Sequence, residues 1–175
     1  MISRRSHDEF LEATLPALDL VYNLARRLVR DPDHQADLVQ ETYLKAFEAW
    51  IKGRKPRKVE PWIATICINA GRSYWRKASV RNELSVDELP DHGGEGPDVE
   101  EIAIEHVQRR AVHEALWKLP EQQRIAITLM DLGGFTAQEV ARITRTPRGT
   151  VLARVHRGRK KLAAIIRREV RRREA

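Results

Sequence analysis

One segment near the C-terminus carries side chains suited to reading nucleic acid. At helical spacing, one side of residues 147–165 is apolar, and the opposite side is small, polar and basic. The polar side and its flanks carry Arg148, Thr150, Ala153, Arg154, His156, Arg157 and Lys160. Guanidinium, ammonium and hydroxyl groups bond to phosphates and base edges, and a helix with such a face fits the major groove of DNA. The alternative is an amphipathic helix whose charges are merely solvated.

The residues around this segment predict a helix-turn-helix over 135–162. Thr136 is a good N-cap, and Glu139 three residues later completes a capping box. The second helix is expected to open at Thr146-Pro147, because proline loses nothing at the first helical position. Its inward side carries Val151, Val155, Gly158, Leu162 and Ile165. Two capped helices joined by a tight turn favour a DNA-reading element over the solvated alternative.

The charge distribution indicates a polyanionic partner. The 175 residues include 32 Lys and Arg against 25 Asp and Glu, a net charge of +7. From Glu83 to Glu105 there are acids but no Lys or Arg, so the basic excess lies on either side. No apolar run is long enough to span a bilayer and the N-terminal residues lack a signal-peptide core, so we expect a soluble cytoplasmic protein. The single cysteine, Cys67, excludes an internal disulfide, and its place on a core-facing stripe predicts an inert buried thiol.

Two amphipathic helices are predicted in the N-terminal half, from Leu15 to Val29 and over 35–51. The inward face of the second is expected to carry Val39, Tyr43, Ala46, Phe47 and Trp50. Its outward face carries Asp37, Gln40, Glu41 and Glu48, with Leu44 among them. This outward face is either a docking surface for a basic protein or a solvated surface with one exposed leucine, and the residues alone leave both open.

A basic loop and the helix after it form a second candidate DNA-contacting surface. The loop, 52–58, contains Lys52, Arg54, Lys55, Arg57 and Lys58. A third helix is expected to start at Pro61, and its polar stripe carries Thr65, Asn69, Arg72 and Arg76, followed by Lys77 and Arg81. Asn and Arg are residue types that hydrogen-bond base edges, and Arg also binds phosphates. Tyr74 and Trp75 either stack on unpaired bases or belong to the core.

The remaining segments predict a linker and a second helical domain. Residues 84–105 are rich in acids, Gly and Pro, which is typical of a flexible linker. The domain after it is expected to contain a helix ending near Leu119 and another from Pro120 to Asp131. The basic tail, 167–173, either continues the last helix along phosphates or frays in solvent.

Together these segments resemble a bacterial RNA polymerase sigma factor of the extracytoplasmic-function (ECF) group. The run DLVQETYLKAF, from Asp37 to Phe47, is similar to the family's clamp-binding motif. The upstream-element-binding domain is matched by Leu119-Pro120, Arg124, Glu139 to Ala141, Gly149 to Val151, His156-Arg157 and Arg159-Lys160. The helix that reads the downstream promoter element is matched by Trp62, Ile66, Asn69, Tyr74, Arg76 and Lys77.

The resemblance implies an all-α fold in two small helical domains joined by an acidic flexible linker. The sigma-two-like domain would span 8–83, the linker 84–105 and the sigma-four-like helix-turn-helix domain 106–170. The implied docking residues on the clamp of the largest core RNA polymerase subunit are Asp37, Leu38, Gln40, Glu41 and Leu44. The flap of the second-largest subunit, promoter DNA and an anti-sigma factor are the other implied partners. Leu152-Ala153 replaces a Lys-Ser pair that is frequent in the family, so the family's upstream contacts do not transfer directly.

Two other functional classes explain less of the sequence. A stand-alone helix-turn-helix regulator would account for the C-terminal half but not for the acidic stripe, the basic loop or the Asn/Arg helix. An enzyme acting on DNA would need clustered carboxylates, an activated nucleophile or a Gly-rich phosphate loop, and the sequence contains none of these patterns. No catalytic residue, metal or cofactor is therefore expected.

Overall fold

The computed structural model describes residues 4–80 and 111–173, with side chains described over 4–74 and 111–172. Within those ranges the regular elements are helices, and no strand occurs, in agreement with the predicted all-α class. The predicted linker and Arg81 lie outside the described residues. None of the described helices is both long and apolar enough to cross a membrane.

The described helices form two lobes. The N-terminal lobe contains α1 (Arg4–Thr14), a 3-10 turn (Leu15–Ala17), α2 (Leu18–Leu28), α3 (Pro32–Ile51) and α4 (Val59–Val80). The C-terminal lobe contains α5 over 111–117, α6 (Glu121–Ile127) with a π-helical last turn (Thr128–Leu132), α7 (Ala137–Thr144) and α8 (Arg148–Arg173). α3 and α4 begin two to three residues before the predicted starts, because Pro32 and Val59 already adopt helical geometry.

The sequence does not predict α1, since RRSHDEFLEAT has too few apolar residues to show a helical stripe. One of them, Phe10, is nevertheless only 4% exposed. Its ring centroid lies 5.1 Å from that of Phe47 and 5.7 Å from that of Trp50. At the end of the helix, the Tyr43 hydroxyl donates to the Thr14 carbonyl at 3.0 Å. These contacts fix α1 against α3.

The buried face of α3 agrees with the predicted one at Ala46 and Trp50 and differs from it elsewhere. The buried residues are Gln35, Leu38, Thr42, Ala46 and Trp50, whereas Val39, Tyr43 and Phe47 are only partly buried. The reason is tertiary: α2 and α4 both pack against α3, and together they cover the stripe through Thr42. The Thr42 hydroxyl donates to the Leu38 carbonyl at 2.7 Å, which satisfies a polar group that would otherwise be costly to bury.

The interior of the N-terminal lobe is tightly packed around α4. At Gly71, a Cβ atom would lie 3.1 Å from Leu28 Cδ1, so α2 and α4 approach closely there. Cys67 is completely buried, as predicted. Burial raises the pKa of its thiol to about 12, because a thiolate would lose its hydration.

We expect Cys67 to be unreactive in the folded protein. Because the raised pKa keeps the thiol protonated at mildly alkaline pH, Ellman's reagent should release almost no chromophore from the native chain. In denaturant, the same reagent should report one thiol per chain. Complete labelling of the native protein within minutes would contradict a buried Cys67.

The helix-turn-helix adopts the predicted cap at its first helix. The amide of Thr136 donates to Glu139 Oε2 at 3.0 Å, and the amide of Glu139 donates to Thr136 Oγ1 at 3.3 Å, so both halves of the capping box are present. The left-handed backbone of Arg145, with φ of 53°, then turns the chain. The second helix, α8, begins at Arg148, one residue later than predicted.

The predicted inward stripe of α8 is confirmed. Val151 and Val155 are 1% and 4% exposed, Gly158 is buried, and Leu162 and Ile165 pack beneath α5 and α6. A Cβ at Gly158 would come 2.6 Å from Ile127 Cδ1 and 3.2 Å from Gln123 Cβ, so α6 and α8 approach closely there and Ile127 would have to shift to admit a side chain. The helix runs on to Arg173, so the basic tail continues α8 rather than fraying.

The two lobes pack against each other. α6 contacts α2, α7 contacts α4, and apolar residues of both lobes belong to one buried cluster. Across this seam, Arg124 Nε donates to the Arg27 carbonyl at 2.7 Å. A second contact across it joins Lys58 Nζ to Glu139 Oε1 at 3.2 Å. The structure therefore joins the two predicted units in one body.

Candidate DNA-binding and docking surfaces

The predicted DNA-reading face of α8 lies at the surface. Arg148, His156, Arg157 and Lys160 are exposed, and Thr150, Ala153 and Arg154 are half-buried. His156, Arg157 and Lys160 make no hydrogen bond or ion pair with any described residue. The centre of this face therefore offers its donors outward, to a phosphate or a base edge.

The cations at the edges of that face are bound within the C-terminal lobe. Arg154 donates to Gln122 Oε1 at 2.6 Å and to Thr146 Oγ1 at 3.4 Å. Arg159 forms a two-point pair with Asp131, and this carboxylate raises the pKa of the Arg159 guanidinium further above its usual range. The Thr146 hydroxyl, predicted as a helix cap, lies 2.8 Å from the Thr144 hydroxyl as well. These contacts hold the start of α8 to the neighbouring helices.

The basic tail extends the same face. At 100° per residue, Arg167 and Arg171 lie on the side of α8 that carries Ala153, Arg157 and Lys160. With 26 residues, α8 is about 39 Å long. The curvature of a B-DNA groove would let only part of such a straight helix lie within it.

Two of the three residues of the polar stripe of α4 whose side chains the structure describes are exposed, and Thr65 is half-buried. Asn69 and Arg72 are exposed, and the Thr65 hydroxyl donates to the Pro61 carbonyl of its own helix at 2.7 Å. Arg76 and Lys77 belong to α4, but their side chains lie outside the described residues, as does that of Trp75. The ring of Tyr74 is half-buried and packs against the core, 5.0 Å from the ring of His34, which favours the core alternative for this residue.

The basic loop between α3 and α4 has a defined backbone. Gly53, with φ of +77°, ends α3: its amide donates to the Trp50 carbonyl at 3.0 Å, and the Arg54 amide donates to the Ala49 carbonyl at 3.0 Å. This pair of bonds is the Schellman arrangement, which needs a residue tolerant of the left-handed region. The start of the loop is therefore held by the end of the helix.

The five cations of the loop are not equivalent. Lys55 Nζ lies 2.9 Å from Glu9 Oε2, and Lys58 Nζ lies 3.2 Å from Glu139 Oε1. Lys52, Arg54 and Arg57 are exposed and form no ion pair with a described residue. The hydrogen bonds of the capping box, and after them the pairing with Lys58, lower the pKa of the Glu139 carboxyl. Three of the five loop cations that are predicted to contact DNA therefore form no ion pair with a described residue.

The outward face of α3 is acidic with an apolar centre, as predicted. Asp37, Gln40 and Glu48 are exposed, and Leu44 is 59% exposed. Glu41 is half-buried and pairs with Lys45, with 2.6 Å between Oε1 and Nζ. Ile51, which the sequence reading does not include, is 41% exposed and lies on the same side by helical spacing.

One residue of the predicted docking set does not belong to this face. Leu38 is 3% exposed and is part of the core, so it cannot touch a docking partner. The resemblance places Leu38 within a matching run, but adjacent helical residues point about 100° apart, and α2 and α4 cover this one. The docking surface that remains is Asp37, Gln40, Glu41 and Leu44, extended by Glu48 and Ile51.

A groove near the end of α8 is a further surface, and the sequence does not predict it. It has a volume of about 460 Å³ and is lined by Lys118, Ile165, Arg168, Glu169, Arg171 and Arg172. Its apolar floor and basic rim arise because the last turn of α5 packs beside the last turns of α8. Only the relative position of these two helices could have revealed it.

Family models match two parts of the chain. The model of sigma-70 region 2 matches residues 16–81, and that of sigma-70 region 4 matches residues 109–162. An ECF RNA polymerase sigma-E factor of Escherichia coli K12 is 31% identical over 147 residues, covering 79% of this chain and 76% of that protein. The ECF RNA polymerase sigma factor SigE of Mycolicibacterium smegmatis is 30% identical over 148 residues, covering 82% of this chain and 56% of its own length.

Two solved structures share the fold. The sigma factor RpoE of Bartonella quintana, in complex with the anti-sigma factor NepR, has a TM-score of 0.76 at 24% identity and covers 91% of this chain and 97% of that one. CnrH, in complex with the cytosolic domain of CnrY, has a TM-score of 0.66 at 20% identity and covers 91% and 88% of the two chains. At these identities the likeness concerns the fold alone.

Proposed function

Because the chain belongs to the ECF group of RNA polymerase sigma factors, we propose that it is a dissociable initiation subunit that binds core RNA polymerase, recognises promoters and helps to melt them. The observation that supports this role most strongly is the presence, in one chain, of both sigma-70 regions with two chemically opposite surfaces. The outer face of α3 is acidic and apolar, whereas that of α8 is basic and polar. One face suits a protein and the other suits DNA.

The outer face of α3 is proposed as the site that docks on the clamp of the largest polymerase subunit. Leu44 would supply the apolar anchor, and Asp37, Gln40 and Glu48 around it would pair with basic groups of the clamp. Glu41 already has an internal partner in Lys45, so its contribution would be smaller than that of Asp37.

The DNA contacts are proposed to divide between the lobes. His156, Arg157 and Lys160 of α8 would bind the upstream element, with Arg148, Thr150, Ala153 and Arg154 at its edges. Asn69 and Arg72 of α4, together with Arg76 and Lys77, would contact the melting downstream element. The loop cations Lys52, Arg54 and Arg57 would hold phosphates of the displaced strand.

Two further partners are proposed. The groove at the end of α8, with its apolar floor and basic rim, is a suitable place for the flap of the second-largest polymerase subunit. One of the two similar solved structures contains an anti-sigma factor, which supports an inhibitor of that class for this chain. Because the proposed binding partners are RNA polymerase and promoter DNA, the protein would act in the cytoplasm.

Transcription with purified core RNA polymerase tests the proposal. With the protein present, fragmented DNA of the source genome should give new discrete transcripts whose start sites share an upstream and a downstream motif. The absence of transcripts, together with a palindromic footprint formed without polymerase, would instead identify a stand-alone regulator. The control omits the protein and keeps the same core enzyme.

Arg157 tests the assignment of the α8 face. Replacing it by alanine should weaken binding to the upstream element by about 1–3 kcal/mol, because its exposed guanidinium has no internal partner to retain it. Fluorescence anisotropy at moderate salt measures the effect. The matched control is Arg142→Ala, which removes an exposed arginine from α7 instead of α8. If Arg157→Ala binds the upstream element as tightly as Arg142→Ala does, Arg157 does not contact this DNA and its charge is merely solvated.

A further inference from the structure

We propose that α1 is a positioning element for the basic loop 52–58, with Glu9 as the positioning residue and Lys55 as the cation that ties the loop to it. The inference rests on the proposed melting role of the loop. It assigns a role to a helix that the match to sigma-70 region 2 leaves out, since that match begins at residue 16 and α1 ends at Thr14.

α1 is held in place at the end of α3 from which the loop emerges. Phe10 packs against Phe47 and Trp50, the last aromatic residues before the loop. The Tyr43 hydroxyl donates to the Thr14 carbonyl at the C-terminal end of α1. Because α1 is held to α3 at Phe10 and at Thr14, Glu9, the neighbour of Phe10, has a defined position.

Glu9 and Trp50 form a seat for the Lys55 ammonium. Lys55 Nζ lies 2.9 Å from Glu9 Oε2 and 5.0 Å from the centroid of the Trp50 ring. The ammonium is therefore bound by a carboxylate and by the face of an indole at once. The hydrogen bond and charge of Lys55 lower the pKa of the Glu9 carboxyl, which favours its ionised form.

The contact of Lys55 with Glu9 and Trp50 adds a second point at which the loop is held. The Schellman bonds at Gly53 hold its first residues, and Lys55 holds its middle. Lys52, Arg54 and Arg57 then point to solvent from a backbone that is already ordered. When a DNA strand binds these cations, the loop loses little conformational entropy because it is already ordered. Preorganisation of this kind strengthens binding.

The proposal and its alternative predict effects of opposite sign. If Lys55 bound DNA directly, removing the negative charge of Glu9 would leave a freer cation and would strengthen the interaction with the strand. If Lys55 positions the loop, Glu9→Gln should slow promoter opening by about two- to fivefold, the range set by an exposed ion pair. The affinity of the C-terminal lobe for the upstream element should not change.

The experiment uses holoenzyme assembled from core polymerase and the full chain, on a promoter found in the transcription assay. Opening is followed by the fluorescence of 2-aminopurine placed in the downstream element. Glu12→Gln is the matched control, because Glu12 is an exposed acid of α1 without an ion pair to a described residue.

A second readout is independent of the proposed function. In the free protein, trypsin should cleave after Lys52, Arg54 or Arg57 several times faster in Glu9→Gln than in wild type or Glu12→Gln, at unchanged melting temperature. Equal cleavage rates, or faster opening by Glu9→Gln, would overturn the positioning role. If wild type itself opens no promoter while the cleavage rates differ as expected, the contact between Glu9 and Lys55 does order the loop. The proposed role of the loop in melting is then wrong.

Discussion

Replacing Arg124 by leucine should lower the free energy of unfolding by about 3 kcal/mol, the largest stability effect that we expect from a single charged residue in this protein. Arg124 is 5% exposed although it carries a charge. Its guanidinium donates from Nε to the Arg27 carbonyl at 2.7 Å and from Nη1 to the Leu119 carbonyl at 3.2 Å. Leucine fills part of the space but leaves both carbonyls without these donors.

The partners of Arg124 explain how a buried cation is tolerated without a carboxylate in hydrogen-bonding contact. Arg27 lies in the last turn of α2, and Leu119 follows the end of α5, so both carbonyls lie at helix C-termini, where no further intrahelical N–H donor is available to them. The negative end of the helix dipole adds a further attraction for the guanidinium. Its carbon also lies 4.0 Å from the centroid of the Trp117 ring. Burial lowers the pKa of Arg124 to about 10, which still leaves it charged at neutral pH.

Thermal and urea unfolding measure this effect, and small-angle scattering reports whether the seam between the lobes loosens in the same variant. The matched control is Arg142→Leu, which removes an exposed arginine from α7 and should change stability little. If both variants unfold at the same temperature as wild type, the hydrogen bonds of Arg124 do not support the seam.

Replacing Leu44 by arginine should weaken binding to core RNA polymerase about thirtyfold or more, as expected for an apolar anchor at the centre of an interface. The substitution removes the apolar group and places a cation where a basic partner surface is proposed to dock. Because Leu44 is 59% exposed, the fold should tolerate the change. Competition with a labelled wild-type chain for core polymerase measures the loss.

Leu15→Arg is the control for Leu44→Arg. Leu15 is also apolar and 52% exposed, but it lies on the 3-10 turn and not on the outward face of α3. Its replacement should leave polymerase binding unchanged. If the two variants bind equally well, the outer face of α3 is not the docking surface, and Leu44 is an ordinary exposed leucine.

The sequence by itself determined the elements whose signals are local. The capping box of Thr136 and Glu139, the apolar stripe of α8 and the burial of Cys67 follow from spacings of a few residues, and the structure confirms them. The resemblance to the ECF group follows from runs of this kind in the right order, and the family comparisons confirm it. Helical periodicity is a property of the chain alone, so it can be read without knowing the neighbours.

Only the tertiary structure decided what covers each face and which charges are already paired. Leu38 rather than Val39 is in the core because α2 and α4 meet α3 on that side. Lys55 pairs with Glu9, 46 positions away, and Arg124 bonds to a carbonyl 97 positions away. Local spacing carries no information about such partners, since they are brought together by packing of helices that are distant in the chain. For the same reason, the contacts of α1 and the seam between the lobes became visible only in three dimensions.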